Sequence, residues 1–485
     1  MEESQFYFNL ALKYTIYIST FLLFAVLIMS NSFLLLEMNT VILVTNIIVL
    51  FLLYNRSQRE DSQILEPIYW IGIYFCFAYI WNTSYQLNSN YFENFTWHSN
   101  WHINPYQECN VILLILFLFS FLLLYIGYDI AMYFMRNKNE NELNLLGLNN
   151  IHTINNIEII YSTVLILKVF AYGSGLLGSA GNIFVQNIFT SLLNVLFSTS
   201  YYLLVIIYVK HYHRKKNIFL AFILLEIFCI FISGNRRELF YLLIPIAICT
   251  YYLNDRIINY TKVLKFSIIF LCCVWPILNI GNDLANTKID KTSTNLQISD
   301  IIQYYISDEK IDRKESKQNG LARILVTDHF KQNLVAYDAI CMKDKLLGPV
   351  GVNNIIQNIL PSFIFKAKSY QYVIELYQQF AYNRFVKMRT CLAFDFITEL
   401  IFSYGSWGII GMFIMGLFYG YLFCLFTTSN SLLMRIFYLT YYYRFSLGIF
   451  NNMIVGDTLT FYKLLFGVLL LRYILKLFAK SKCLL

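Results

Sequence analysis

Residues 307–331 read SDEKIDRKESKQNGLARILVTDHFK, the most charge-dense stretch in an otherwise apolar chain. They sit inside a polar segment, 283–404, whose borders read GNDLANTKIDKTSTN (281–295) and RTCLAFDFITELIFSYGSWGIIG (389–411). A connection of that length between apolar runs is expected to be a domain in its own right. Such loops are where recognition or chemistry on one side of a bilayer is placed.

Outward from that segment, composition decides the class. Of 485 residues, 58% are hydrophobic and only 14% charged. Soluble domains carry roughly 25% charged residues, so this chain has too few to cover a globular surface. Its mean hydropathy is +0.54. Repeated apolar runs of about 20 residues then predict an all-α polytopic membrane protein. The runs fall near 12–29, 39–54, 67–83, 110–134, 159–177, 190–209, 218–233, 239–253, 264–281, 406–426, 432–450 and 458–478. That reading gives about twelve transmembrane helices: an N-terminal bundle over 1–282, the large, partly helical loop over 283–404 before the tenth helix, and C-terminal helices over 405–485.

Charge placement predicts orientation. One set of connections carries Arg56 and Arg59; Arg136 and Lys138; Lys210, Arg214, Lys215 and Lys216; Arg256, Lys262 and Lys265; and Lys476, Lys480 and Lys482. The alternate connections at 30–38, 84–109, 178–189 and 451–457 contain no Lys or Arg. The positive-inside rule therefore puts both termini in the cytoplasm and the large loop outside. The N-terminus, MEESQFYFNLALKY, lacks a small-residue cleavage site, so the first apolar run is expected to be retained. No internal repeat of the kind that builds many transporters is visible.

One external connection breaks the charge rule. ISGNRRELF (232–240) puts Arg236 and Arg237 at a helix end on the outer face. They either snorkel to headgroups or pair with Glu238, or they clamp an oxyanion, since guanidinium groups donate in pairs to phosphate oxygens. Lys168 and Glu226 fall mid-way along apolar runs, where an unpaired charge is expensive. They are expected to face each other or a polar cavity, either as a pair fixing helix register or as part of a substrate path. Arg444, in YYYRFSLGIF, reinforces an anion site or pairs with a loop carboxylate.

Within the large loop, three apolar stripes at helical spacing (298–306, 352–360 and 373–381) predict helices packed on the protein or at the membrane interface. Arg323, Asp328, His329 and Lys331 cluster between them, and Lys366, Lys368, Arg384, Lys387 and Arg389 follow. So basic a loop suits an anionic ligand at the membrane surface. No metal is expected: the six His lack ligand spacing, and neither HExxH nor paired CxxC occurs. His98 and His102 stand four apart in an irregular Asn- and Trp-rich stretch. Most cysteines lie in apolar runs; Cys341 and Cys391 in the loop are the pair a disulfide could join in an oxidising compartment.

The stretch FDFITELIFSYGSWGIIGMFIMGLFYGYL (394–422) resembles the segment closing the large periplasmic loop of bacterial oligosaccharide repeat-unit polymerases, the Wzy-type O-antigen and capsule polymerases. ISGNRRELF is similar to the Gly-Ser-Arg helix end of that family and of the related O-antigen ligases, although either Arg236 or Arg237 matches the family's arginine. NILPSFIF (358–365) resembles its proline-containing loop stretch. The resemblance implies an inner-membrane enzyme that joins undecaprenyl-diphosphate-linked oligosaccharides on the periplasmic face, with lipid pyrophosphate as leaving group and no cofactor. It implies Arg236 and Arg237 on the pyrophosphate, assisted by Arg323 or Arg444, with His329 or Glu399 as base. Asp395, one helical turn before Glu399, raises its pKa in that scheme; alternatively Glu399 only orients sugar hydroxyls. A chain-length regulator is the partner the family usually has. An O-antigen ligase, or a flippase for lipid-linked sugar, is the alternative.

Overall fold

The computed structural model describes residues 3–30, 32–59, 62–88, 108–136, 157–173, 188–211, 216–233, 237–253, 346–350, 353, 396–427, 434–442, 464–467, 469 and 473. Every regular element among them is helical. Four described helices are long and apolar enough to cross a membrane: Phe6–Ile28, Phe33–Ser57, Val111–Met135 and Phe396–Phe426. Large apolar side chains such as Phe21, Ile28 and Phe33 point outward at more than 70% exposure. On a soluble protein that surface would aggregate; facing lipid tails it is solvated. The protein is therefore a helical membrane protein. The expected span at 264–281, the three amphipathic stripes apart from Asn353, His98, His102, Cys341 and Cys391 lie outside the described residues.

The chain forms two compact units, each built from separate pieces of sequence. One comprises Met1–Glu142, Arg323–Thr428 and Phe445–Leu459; the other comprises Leu143–Ala322, Ser429–Arg444 and Thr460–Leu485.

In the first unit, α1 (Glu3–Ile28) and α2 (Phe33–Ser57) pack as a hairpin. Helix α2 starts six residues before the expected run because Ser32 caps it, its hydroxyl accepting from the Leu35 N–H at 3.1 Å. Glu37 and Asn39 lower the hydropathy of its N-terminal part without preventing the helix. Polar glue joins the pair, since Asn39 Nδ2 donates to Ser30 Oγ at 2.6 Å and Asn46 Nδ2 to Ser19 Oγ at 3.1 Å. Next comes α3 (Pro67–Phe75), with Pro67 at its first position. It runs through a π-helical segment, Cys76–Trp81, into α4 (Asn82–Asn88), five residues past the expected end. Phe75, Tyr79, Phe117 and Phe121 form an aromatic core between this segment and α5 (Glu108–Arg136), with ring centroids 5.0–5.2 Å apart.

The second unit contains α6 (Ile157–Gly173), α7 (Ile188–His211), α8 (Lys216–Ser233) and α9 (Arg237–Leu253). Tyr161 of α6 packs edge-on to Phe222 of α8 at 4.9 Å, and the Tyr208 hydroxyl of α7 hydrogen-bonds Thr250 of α9.

Returning to the first unit, α10 (Phe396–Tyr404) is followed by a 3-10 turn, Gly405–Ile409, and α11 (Ile410–Thr427). All of Phe396–Ser403 is buried. The segment expected to close the loop is thus a buried helix continuous with the apolar stretch of α11. Helix α11 lies against α5 at backbone contact. A Cβ on Gly127 would stand 2.2 Å from the Phe413 carbonyl oxygen, and one on Gly416 would stand 2.1 Å from that of Leu124. Only hydrogen fits in either place, which is how small residues let membrane helices approach closely.

Candidate functional site

Among the side chains expected to act in catalysis or on the pyrophosphate, Glu399 is the one that the structure describes. It lies in the first turn of α10 and is 2% exposed. Local rules explain how α10 is held. Gly405 takes φ +63°, the left-handed conformation that ends a helix, and the Leu347 N–H donates to the Phe402 carbonyl in its last turn at 3.0 Å. A Cβ on Gly408 would stand 2.3 Å from the Leu400 carbonyl oxygen, so the turn folds directly onto α10 beside Glu399. The glycines of SYGSWGIIG thus fix the carboxylate's helix relative to α11. Arg237 is the first residue of α9. Arg236, Arg323, His329, Asp395 and Arg444 lie outside the described residues, as does the side chain of Arg237.

The described helices also hold two buried charge clusters. In the first unit, Arg56 (1% exposed) at the end of α2 meets Glu66 (0%), the residue preceding α3, through two bonds: Nε to Oε2 at 2.9 Å and Nη2 to Oε1 at 3.2 Å. The Gln63 N–H and the Tyr128 hydroxyl add bonds of 2.9 and 3.2 Å to the same carboxylate. Each Glu66 oxygen therefore accepts twice. Asp129 of α5 takes a further bond from Arg56 Nη1 at 3.5 Å and a bidentate pair from Arg59. That hydrogen bond raises the pKa of Arg59 above its ordinary value. In the sequence alone both arginines stand out only as topology signals. Glu66 was legible as a partner only by proximity in sequence, and Asp129, on α5, was not.

In the second unit, Lys168 of α6 and Glu226 of α8 are both fully buried and 2.7 Å apart. The pairing expected from their cost in the membrane is present. Glu226 Oε1 also accepts from the Tyr161 hydroxyl (2.9 Å) and lies 3.1 Å from the Ser200 hydroxyl, whose one proton is shared with the Phe197 carbonyl oxygen at 2.7 Å. Lys168 Nζ also donates to Ser200 Oγ at 3.3 Å and to the Tyr201 hydroxyl at 3.2 Å. At the head of α6, before its apolar run, Glu158 accepts from Lys210 at 2.8 Å and from His211 at 2.6 Å. Burial pushes the Glu158 carboxyl up, but the bonds from Lys210 and His211 outweigh it and hold it below its usual range.

Both buried pairs are met by hydrogen bonds from the surrounding protein, as structural ion pairs are. Among the described residues no three His, Cys, Asp or Glu side chains gather as a metal site requires. No known protein family, curated protein or solved structure matches this chain.

Proposed function

We propose that the protein is a membrane glycosyltransferase that polymerises undecaprenyl-diphosphate-linked oligosaccharide repeat units into O-antigen or capsular polysaccharide. One observation carries the reading: Glu399 lies buried on a helix that a glycine-built turn locks into the apolar helix after it. That is the segment whose sequence resembles the loop-closing element of the polymerases. Two sequence features support it further. An arginine pair stands where α9 begins, and a long, charge-dense polar stretch lies between that pair and Glu399.

In this reading Arg236 and Arg237, with Arg323 or Arg444, stabilise the charge that develops on the departing lipid pyrophosphate. His329 or Glu399 takes the proton of the acceptor hydroxyl. The chain then spans the bacterial inner membrane about twelve times, with both termini cytoplasmic, the 283–404 segment periplasmic, and a chain-length regulator as partner.

The test is incubation of purified protein with synthetic undecaprenyl-diphosphate repeat unit in the presence of EDTA. A ladder of longer lipid-linked glycans is expected. Substrate bound but left unextended would defeat the polymerase reading and direct attention to a ligase with a different acceptor.

A further inference from the structure

The apolar run Phe396–Phe426 is 31 residues long, about 46 Å if straight and well beyond the about 30 Å of hydrocarbon in a bilayer. It is not straight. A Cβ on Gly411 would stand 2.8 Å from the Leu400 side chain, where a continuous helix would hold the two residues about 16 Å apart. Helix α10 packs chiefly on the 3-10 turn. Helix α11 alone, 18 residues and about 27 Å long, is enough to cross.

One exposed stripe marks where that crossing starts. Ile410, Ile414, Phe418, Tyr421 and Leu425 are exposed at helical spacing along α11, as on a face covered by lipid tails. Trp407 heads the stripe. At 79% it is the most exposed large apolar side chain among the described residues. Tyr404 and Leu346 are exposed at the same turn, where Leu346 Cδ2 lies 3.4 Å from the place of a Cβ on Gly405. An indole and a phenol at the end of a lipid-facing stripe suit the headgroup layer, which solvates both an apolar ring and its polar edge. Gly416 meets Leu124 and Gly420 meets Ala131, so α11 and α5 run in the same direction. The turn therefore lies toward the N-terminal end of α5, away from the Arg56–Asp129 cluster near its other end.

We propose that Trp407, with Tyr404 and Leu346, seats the α10–α11 turn in the phospholipid headgroup layer and thereby fixes the depth of Glu399. Trp407 precedes Gly408 and Glu399 precedes Leu400, and Gly408 and Leu400 are in backbone contact. The indole and the helix carrying the carboxylate are thus tied to one point. This placement does not depend on the proposed activity. For a substrate carried on a lipid diphosphate, as that reading has it, the seat brings α10 to the level of the reacting bond, and Trp407 is a positioning residue.

The experiment compares full-length wild type and W407F in liposomes whose phospholipid is brominated at either the headgroup end or the methyl end of its acyl chains. The emission lost in W407F is expected to be quenched about twofold more by the shallow bromines than by the deep ones. Quenching by the deep bromines that equals or exceeds that by the shallow ones would overturn the proposal. So would quenching by aqueous iodide with none by either lipid. Should W407F fail to accumulate or emit as wild type does, benzoylphenylalanine at position 407 is illuminated in plain phospholipid liposomes instead. Adducts on phospholipid next to the headgroup support the seat; adducts confined to acyl-chain ends, or to protein alone, overturn it. Elongation enters neither measurement, so loss of the enzymatic reading and loss of this one are told apart.

Discussion

Gly416 of α11 and Leu124 of α5 meet backbone to backbone, so close that the space where a Cβ would stand is held by the Leu124 carbonyl oxygen. Gly127 repeats the relationship from the other side, against Phe413. Neither neighbour is the free end of a side chain, so neither can give way without moving a helix.

G416A and G127A are therefore expected to destabilise the first unit by about 1–3 kcal/mol each, the usual range for overpacking a well-packed interior. Thermal unfolding of detergent-solubilised protein measures it. Midpoints equal to wild type in both variants would mean that α5 and α11 are not in backbone contact.

Arg56 and Arg59 share Asp129 but sit in different surroundings, and should respond differently to truncation. Arg56→Ala leaves Glu66 buried without its cation, a change that typically costs about 3–5 kcal/mol. Arg59 is 41% exposed, and R59A should cost no more than about 1 kcal/mol. The same unfolding assay ranks them, and an equal or reversed order contradicts the burial argument.

Glu158 makes a pH prediction. Its folded pKa lies below the ordinary 4.5, so the unfolded chain binds the proton more readily. Stability from the Lys210 and His211 contacts is thus fully present above about 4.5 and is lost as pH falls through the lower folded value. E158Q should flatten that acid limb while changing stability little at neutral pH, because a partly exposed pair contributes about 0–1 kcal/mol. An acid limb identical to wild type would dissociate Glu158 from it.

For the proposed chemistry, R236A/R237A should lower elongation by about a hundredfold or more, the usual effect of removing a donor aimed at developing charge. A Gram-negative host carrying that variant at normal protein level should display single repeat units in place of a ladder. E399Q separates roles: loss of elongation with substrate binding retained marks a base, whereas weakened binding marks a sugar-orienting residue. Full-length polymer from either variant removes its residue from the mechanism.

The membrane class and the existence of most described helices were legible in the sequence, because a spanning helix must be a contiguous apolar run. Lys168 and Glu226 were legible for the same reason: a charge inside such a run demands a partner, and each is the other's natural candidate. Helix ends were less legible. The Ser32 cap at α2 and the π-helical continuation through Cys76–Trp81 depend on hydrogen bonds that hydropathy does not report.

Tertiary structure alone decided the rest. Asp129 joins Arg56 and Arg59 because α5 returns to the end of α2, and no local pattern encodes that return. Phe396–Tyr404 read as the end of a polar loop because so short an apolar stretch follows charged residues. It is a buried helix because glycines at 405 and 408 fold the next turn onto it. The sequence by itself determined that this chain lives in a membrane and that its internal charges must pair, since both follow from the cost of exposing polar groups to hydrocarbon. Which distant backbones touch, and which carboxylate is buried where the chain turns, rests on contacts between residues far apart in the chain.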